Sequence, residues 1–194
     1  MTTPPTDGNI VPKPAVRVDR ATEAERSLIE GLARFYIYDF SDLEPADSND
    51  FDFDARGDYG PLPHLDTYWR EPDRHPLIIR LGDKVVGFAL INGHSHQGGA
   101  AERNMGEFFV ARKYRRHGVA TEAVRLILEA YRGRWEVAVA QRNLAAQAFW
   151  PRAIASAPGV SELAQVEGDP RHWRGPIWCF RVVGGPSVPP NRQD

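Results

Sequence analysis

The spacing of apolar positions along the chain predicts two amphipathic helices. In "ATEAERSLIEGLARFYIYDF", residues 21–40, apolar side chains recur at helical intervals. The stripe consists of Leu28, Ile29, Leu32, Phe35 and Tyr36. Thr22 and Glu25 form a capping-box pattern at the start of this helix. The second helix is predicted over residues 118–132, and its stripe includes Ala120, Val124, Ile127, Leu128 and Tyr131.

Short β-rich runs predict the strands. Residues 76–93, "PLIIRLGDKVVGFALING", are typical of a hairpin that turns at Gly82 and Asp83. "GEFFVAR", "RWEVAVA" and "IWCFRVV" are further predicted strands. "NLAAQAFWPRAI" is a short helix that we expect to be interrupted near Pro151. This order of elements predicts an α/β (α+β) fold in which helices cover a mixed sheet.

One domain accounts for most of the chain. Its 194 residues are enough for one hydrophobic core. We expect residues 15–183 to form this domain, and residues 1–14 and 184–194, which are rich in Pro and polar residues, to be flexible tails. Residues 41–76 lack clear periodicity and form a long excursion.

Composition excludes several classes of protein. The chain has 24 Lys and Arg against 26 Asp and Glu, and this net charge of −2 argues against a nucleic-acid binder. No apolar run approaches the length of a membrane span, and the N-terminus lacks the apolar core of a secretory signal. A single cysteine allows neither an intrachain disulfide nor a cysteine metal cluster. A cytoplasmic protein fits these features.

The segment "RRHGVA", residues 115–120, lies between a predicted strand and a helix N-terminus. Such an N-terminus leaves backbone N–H groups free and carries partial positive charge, so it suits a phosphate. Gly118 would let the backbone approach that ligand closely. The alternative is a solvated turn between a strand and a packing helix.

This segment resembles motif A of the GNAT superfamily of acyl-CoA-dependent N-acetyltransferases, Q/R-x-x-G-x-G/A, at Arg115, Gly118 and Ala120. A second resemblance is the run N-x-x-A-x-x-F-aromatic, which Asn143, Ala146, Phe149 and Trp150 match. The family fold is a mostly antiparallel sheet flanked by helices, with a splayed strand pair that holds acyl-CoA. The resemblance implies a set of CoA-binding residues, namely Phe109, Val110, Arg115, Arg116, His117, Gly118, Val119, Ala120, Asn143, Phe149 and Trp150.

The sequence departs from the family at Trp150, where a tyrosine often protonates the departing CoA thiolate. An indole N–H cannot do this at neutral pH. The thiolate could leave unassisted, since a thiol with a pKa of ~8.5 is a good leaving group. Tyr114 and Tyr131 are weak substitutes.

The resemblance implies direct attack of an amine on acetyl-CoA in a ternary complex, with a carboxylate as proton acceptor. "GEFFV" is similar to the "EDFFV" strand of polyamine acetyltransferases, so Glu107 is the first candidate for catalytic base or amine anchor. A solvated strand-end glutamate is the alternative. His94 and His96 are the next candidate bases. Their His-x-His spacing lacks a third ligand, so no metal is predicted.

The acceptor is expected to lie beside the loop 39–75, which is acidic and aromatic. Residues 39–58 contain eight acids, Asp39, Asp42, Glu44, Asp47, Asp50, Asp52, Asp54 and Asp58, against one basic residue, Arg56. Such a surface attracts cations, so we expect a small cationic amine held by Tyr36, Asp39 and Glu107. A loop that only keeps the protein soluble is the alternative.

The predicted function is therefore an acetyl-CoA-dependent N-acetyltransferase for a small amine. Two alternatives stay open at this point. One is a module that binds acetyl-CoA without turnover, and the other is a protein lysine acetyltransferase. A homodimer is also left open, because many members of the superfamily form one.

Overall fold

A computed structural model describes residues 14–98 and 100–184 of the chain. In it, a single sheet has the strand order β1-β2-β3-β4-β5-β7-β6. The strands are β1 (Val16–Arg20), β2 (His75–Leu81), β3 (Lys84–His94), β4 (Ala100–Val110), β5 (Gly133–Ala138), β6 (Val160–Glu167) and β7 (Pro176–Val182). The helices are α1 (Arg26–Ser41), α2 (Val119–Ala130) and α3 (Leu144–Ala155).

Alternation along the central strands builds the core on both faces of the sheet. In β2, Ile78 packs with the buried residues of α1, whereas Leu77 and Ile79 pack with those of α2. Successive side chains of a strand point to opposite faces, so a continuous apolar run such as "LII" needs cover on both. Helix α1 therefore lies on one face of the sheet and α2 on the other.

The direction of strand pairing confirms the mixed, mostly antiparallel sheet. Every neighbouring pair is antiparallel except β4 and β5, which run parallel. That parallel pair is aligned at only two positions, Arg103 with Trp135 and Asn104 with Glu136. Beyond Asn104 the two strands separate, which leaves a gap between the C-terminal half of β4 and the end of β5. The predicted splayed strand pair is present.

The predicted hairpin, the following strands and all three helices are confirmed, with local corrections. Helix α3 is continuous through Pro151, so the predicted interruption is wrong. The buried side of α1 is Ile29, Ala33 and Ile37, while Phe35 from the predicted stripe is 63% exposed. The buried residues of α1 recur every four positions, so Phe35, which falls between Ala33 and Ile37, points away from the sheet.

The two strands that the sequence did not predict are β1 and β6, the edges of the sheet. Strand β4 also begins at Ala100, well before "GEFFVAR". The loop after α1 has little regular structure except a 3-10 helix at Leu65–Trp69. The predicted tails lie outside the described residues, apart from Pro14 and Gly184.

Candidate active site

Two adjoining cavities lie at the gap between β4 and β5. The first has a volume of ≈ 540 Å³ and is lined by the end of α1, β4, the turn before α2, and α3. The second has a volume of ≈ 750 Å³ and is lined by α1, the loop after it, β3, β4 and β5. Six residues line both cavities, namely Tyr36, Phe40, Phe108, Asn143, Ala146 and Trp150. We call the first the groove and the second the acceptor cavity.

Most of the residues predicted to bind CoA line the groove. These are Phe109, Val110, Arg115, Arg116, Gly118, Ala120, Asn143, Phe149 and Trp150. His117 and Val119 do not line it, because His117 is exposed and Val119 is buried in the core. Those two residues can reach a ligand there only through their backbone.

The turn before α2 presents free backbone donors to the groove. Within the described part of the chain, the N–H groups from Arg116 to Thr121 have no acceptor. Gly118, the residue before α2, has φ +80°, and a Cβ built on it would meet nothing within 4 Å. Arg116 also has a positive φ of 63°. The loop is thus shaped to expose N–H groups at the positive end of a helix dipole.

Asp39 ties α1 to this turn. Its carboxylate accepts a hydrogen bond of 2.7 Å from Nε of Arg112 and forms an ion pair with Arg115. Nε of Arg115 also donates to the carbonyl oxygen of Val110 at 2.6 Å. Asp39 lines the groove and does not line the acceptor cavity. Both carboxylate oxygens are engaged by arginines, so Asp39 is poorly placed to hold a substrate amine.

The first turn of α3 contributes a polar group where the two cavities meet. The side-chain Oδ1 of Asn143 caps the helix by accepting from the N–H of Ala146 at 3.0 Å. Within the described part of the chain, its Nδ2 has no acceptor. Phe149 and Trp150 pack against Phe108 of β4, with ring centres 6.3 and 5.3 Å apart. This packing sets the distance between α3 and the splayed strand.

Glu107 lies in the acceptor cavity and is hydrogen-bonded by Tyr36, whose phenol donates to Oε2. Burial raises the pKa of the Glu107 carboxyl from 4.5 to about 7, although the hydrogen bond from Tyr36 acts in the opposite direction. Burial and the nearby charge of Glu107 raise the pKa of Tyr36 well above 10, so its phenol keeps its proton. Two of the residues predicted from sequence are therefore in direct contact.

A β-bulge directs Glu107 into the cavity. The register of β3 with β4 shifts between Leu90, opposite Glu107, and Ile91, opposite Met105, so Gly106 is the extra residue. A Cβ at Gly106 would lie 2.6 Å from Nδ2 of Asn92. Only glycine fits there without displacing its neighbours.

Next to Glu107 along the sheet, the acceptor cavity contains a second polar group that the sequence analysis missed. Asn92 donates from Nδ2 to the Tyr68 hydroxyl at 2.6 Å, and its Oδ1 accepts from Nδ2 of Asn104 at 3.1 Å. Arg74 lies over the Tyr68 ring, with its guanidinium carbon 5.2 Å from the ring centre. Asn92 and Asn104 are 8% and 1% exposed. A buried asparagine within an apolar strand was the signal available in the sequence, whereas Tyr68 and Arg74 lie in the aperiodic segment and gave none.

His94 and His96 line the far part of the same cavity. Their rings are 4.8 Å apart, and His96 lies 4.5 Å from the ring of Trp173. Burial lowers the pKa of His96, with His94 as a second cause. Glu107 is opposite Leu90 on β3, and His94 lies four residues further along that strand, a distance of about 13 Å. These histidines therefore lie away from Glu107. Among the described residues, no three His, Cys, Asp or Glu side chains are grouped to hold a metal.

Comparison with known proteins identifies the family. The acetyltransferase (GNAT) family model matches residues 31–154. The chain belongs to this family of acetyltransferases. GNAT acetyltransferases use acetyl-CoA as the acyl donor, so the free N–H groups of the turn before α2 and the open space at Gly118 fit the diphosphate of that cosubstrate.

Solved structures with a similar fold agree. An acetyltransferase from Thermus thermophilus is 15% identical, with a TM-score of 0.59 over 87% of this chain and 97% of the other. A GNAT acetyltransferase from Bacillus cereus is 12% identical, with a TM-score of 0.55 over 88% and 99%. A spermidine N-acetyltransferase from Vibrio cholerae, in complex with CoA and spermine, is 12% identical, with a TM-score of 0.51 over 86% and 94%. Comparison with curated proteins found no match.

The tyrosines considered as substitutes at the Trp150 position of this GNAT enzyme lie elsewhere. Tyr131 is 6% exposed and packs against His75, and Tyr114 packs beside Val110 and Val119. Neither lines the groove or the acceptor cavity. Tyr36 is the tyrosine that lines both.

The described residues contain no helix that is both long enough and apolar enough to span a membrane. The homodimer and the cytoplasmic location stay predictions.

Proposed function

We propose that this GNAT enzyme transfers an acetyl group from acetyl-CoA to the primary amine of a small molecule, with Glu107 as the general base. The observation that carries the proposal is the position of Glu107, which lies in the acceptor cavity and is bonded to Tyr36, a residue that lines both cavities. A carboxyl with a pKa of about 7 is well matched to accepting a proton at neutral pH.

The donor would occupy the groove. Backbone N–H groups from Arg116 to Thr121 would bind the diphosphate of CoA, and the free Nδ2 of Asn143 would donate to an amide carbonyl of the pantetheine arm. The backbone of β4 at Phe109 and Val110, which faces the gap left by β5, would pair with the same arm. This arrangement brings the thioester towards the residues shared by the two cavities.

The bound ammonium first loses one proton to water, because only the neutral amine can attack. The amine nitrogen then forms a bond to the acetyl carbon, the carbon–sulfur bond breaks, and the nitrogen loses its second proton to the Glu107 carboxylate. The Tyr36 phenol keeps its proton at neutral pH and lies between Glu107 and the groove. We infer that Tyr36 relays a proton, passing its own to the thiolate while the protonated Glu107 gives one to Tyr36. The net transfer runs from a carboxyl with a pKa of about 7 to a thiolate whose thiol has a pKa of ~8.5, so it is favourable. Trp150 then needs no role as an acid.

A small amine suits the acceptor cavity better than a polycation. Four acids in the loop are paired with arginines: Asp39 with Arg112 and Arg115, Glu44 with Arg142, Asp54 with Arg56, and Asp58 with Arg34. Their charge is largely offset within the protein. The cavity wall is mostly apolar and encloses ≈ 750 Å³, a volume typical of small-molecule sites. The Vibrio cholerae protein is an example of the same fold that acts on a small amine.

The test is release of free CoA thiol from acetyl-CoA with a panel of amines, which includes amino acids, arylalkylamines, spermidine and a Lys-rich peptide. We expect turnover of a small amine, and a loss of kcat of about 10²–10³-fold in Glu107→Gln. Glu102→Gln is the matched control, because Glu102 lies on the same strand but is exposed and paired with Arg134. Full activity in Glu107→Gln would remove the proposed base. Acetyl-CoA binding without turnover of any amine would overturn the proposed function.

A further inference from the structure

We propose that the acceptor is an amine that carries a carboxylate, such as a free α-amino acid with an apolar side chain, and that Arg74 binds the carboxylate. The inference deepens the proposed function and rests on it. It follows from the charged groups of the acceptor cavity, the free polar atoms beside them and the distance between them.

The charges on the cavity wall complement an amino acid. Among the described lining residues, Arg74 is the one Lys or Arg, and Glu107 is the one carboxylate without an arginine partner. Glu44, the other lining carboxylate, is paired with Arg142 at 2.5 Å. A polyamine could pair only one of its ammonium groups, with Glu107, and Arg74 would repel the others. An α-amino acid would present an ammonium group to Glu107 and a carboxylate to Arg74.

Arg74 keeps hydrogen-bonding capacity for a ligand. Its Nε donates to Glu71 at 2.6 Å, while within the described residues its two terminal amino groups bond no carboxylate. Glu71 does not line the cavity. A planar guanidinium held at Nε and stacked on the Tyr68 ring is preorganised to bind a second carboxylate.

Asn104 supplies an independent indication that the cavity takes a polar ligand. Its Oδ1 is buried without a hydrogen-bond partner, and the residue lines the cavity. The orientation of its amide is fixed by neighbours. The N–H of His94 donates to Oδ1 of Asn92 at 2.9 Å, so Asn104 must offer its Nδ2 to that same oxygen. The remaining Oδ1 of Asn104 is an unsatisfied acceptor, which an ammonium N–H would satisfy once a small side-chain movement uncovers it.

Arg74 and Glu107 lie on either side of β3. Pairing of His75 with Ile91 places Arg74 beside Asn92, and Glu107 is opposite Leu90, two residues along β3. Two residues of a strand span about 7 Å and two strand spacings about 9.6 Å, so the two backbones are about 12 Å apart. An α-amino acid with a hydrogen bond at each end spans about 8 Å. The side chains of Arg74 and Glu107, which both line the cavity, would cover the remaining distance. The apolar wall, which includes Leu62, Met105 and Trp173, would then surround the side chain.

The experiment compares two matched pairs of acceptors, phenylalanine with 2-phenylethylamine and leucine with 3-methylbutylamine. Each pair differs only in the carboxylate. We expect the wild-type enzyme to prefer the amino acid by at least about 10-fold in kcat/KM, because a charge-assisted bond to a guanidinium is lost in the plain amine. Arg74→Gln is expected to abolish this preference by raising KM for the amino acid, with little change for the plain amine. Arg70→Gln is the control, because Arg70 is exposed, pairs with Asp66 and does not line the acceptor cavity.

The result separates this inference from the proposed function. Equal or better turnover of the plain amines or of spermidine would overturn the carboxylate site and leave the acetyltransferase intact. An equal loss for both members of a pair in Arg74→Gln would assign Arg74 a structural role. If no amine is acetylated, calorimetry of phenylalanine and 2-phenylethylamine with the CoA-saturated protein still decides the question. Tighter binding of phenylalanine, lost in Arg74→Gln, supports the site, and equal or absent binding of both overturns it.

Discussion

The groove and the acceptor cavity are built in different ways. The part of the groove proposed to bind phosphate comes from consecutive residues, Arg115 to Ala120, and offers backbone N–H groups. The acceptor cavity is assembled from α1, the loop after it, three strands and the segment at Trp173, and it offers side chains. Backbone geometry leaves a short sequence pattern, whereas side chains brought together from distant segments leave none. The following predictions test this division, from the largest expected effect to the smallest.

Gly118→Glu should damage the groove alone. A side chain at φ +80° is strained, and its carboxylate would occupy the open space in front of the free N–H groups. We expect the Kd for CoA to rise by at least about 100-fold, as measured by calorimetry, because an anion competes there with the diphosphate. Gly57→Glu is the control, since Gly57 has φ +75° and equally open surroundings in the loop after α1. Unchanged CoA affinity in Gly118→Glu would mean that this turn does not bind the cosubstrate.

Tyr36→Phe should affect the junction of the two regions. Loss of the proton donor is expected to lower kcat by about 10-fold or more. The wild-type kcat/KM should rise with pH through the Glu107 pKa of about 7, because the base must be deprotonated. The hydrogen bond from Tyr36 lowers that pKa, so its removal should move this limb to higher pH.

The pH profiles of the two enzymes, measured with one amine, check this prediction. Tyr38→Phe is the control, because Tyr38 lies on the same helix but is exposed. If kcat/KM of Tyr36→Phe rises over the same pH range as that of the wild type, the ionisation of Glu107 does not set this pH dependence. If kcat is also unchanged, the thiolate leaves without help from Tyr36.

Asp39→Asn should have the smallest effect, and this effect should be on CoA binding in the groove. Asp39 is 15% exposed in its side chain and binds Arg112 and Arg115, so its loss frees the turn before α2 from α1. We expect the Kd for CoA to rise by about 3–10-fold, in the range of a partly exposed ion pair, with the acceptor KM within twofold of the wild type. A change confined to the acceptor KM would instead restore Asp39 as a substrate-binding residue.

The same difference between local and distant contacts explains which parts of the fold could be predicted from the sequence. The helices, the hairpin and the turn at Gly118 were predictable because helical and period-two spacings and a short loop motif are local properties. The splayed strand pair was expected only from the resemblance to the GNAT family. Strands β1 and β6 were missed because each is an edge strand with one neighbour, and "VSELAQVE" has mostly exposed positions. Pro151 did not end α3, because Trp150, Ala153 and Ile154 pack on the sheet around it.

Within the site, Glu107 and Tyr36 were predicted as separate residues, and their contact across 71 positions came only from the fold. Asp39 was predicted to hold the substrate amine, and its arginine partners, Arg112 and Arg115, were not foreseen. The acidity of the loop suggested a cationic amine, because a sequence shows how many charged residues a segment has and does not show which of them are paired.

The sequence by itself determined the family, the strand–turn–helix that offers backbone donors at Gly118, and the acidic residue on β4, since these depend on residues close together in the chain. Only the tertiary structure decided the chemistry around that acid. It enclosed Glu107, which raises its pKa to about 7, and it placed Tyr36, Asn104 and Arg74 in one cavity. Burial and proximity are properties of packed segments, and no local pattern encodes them.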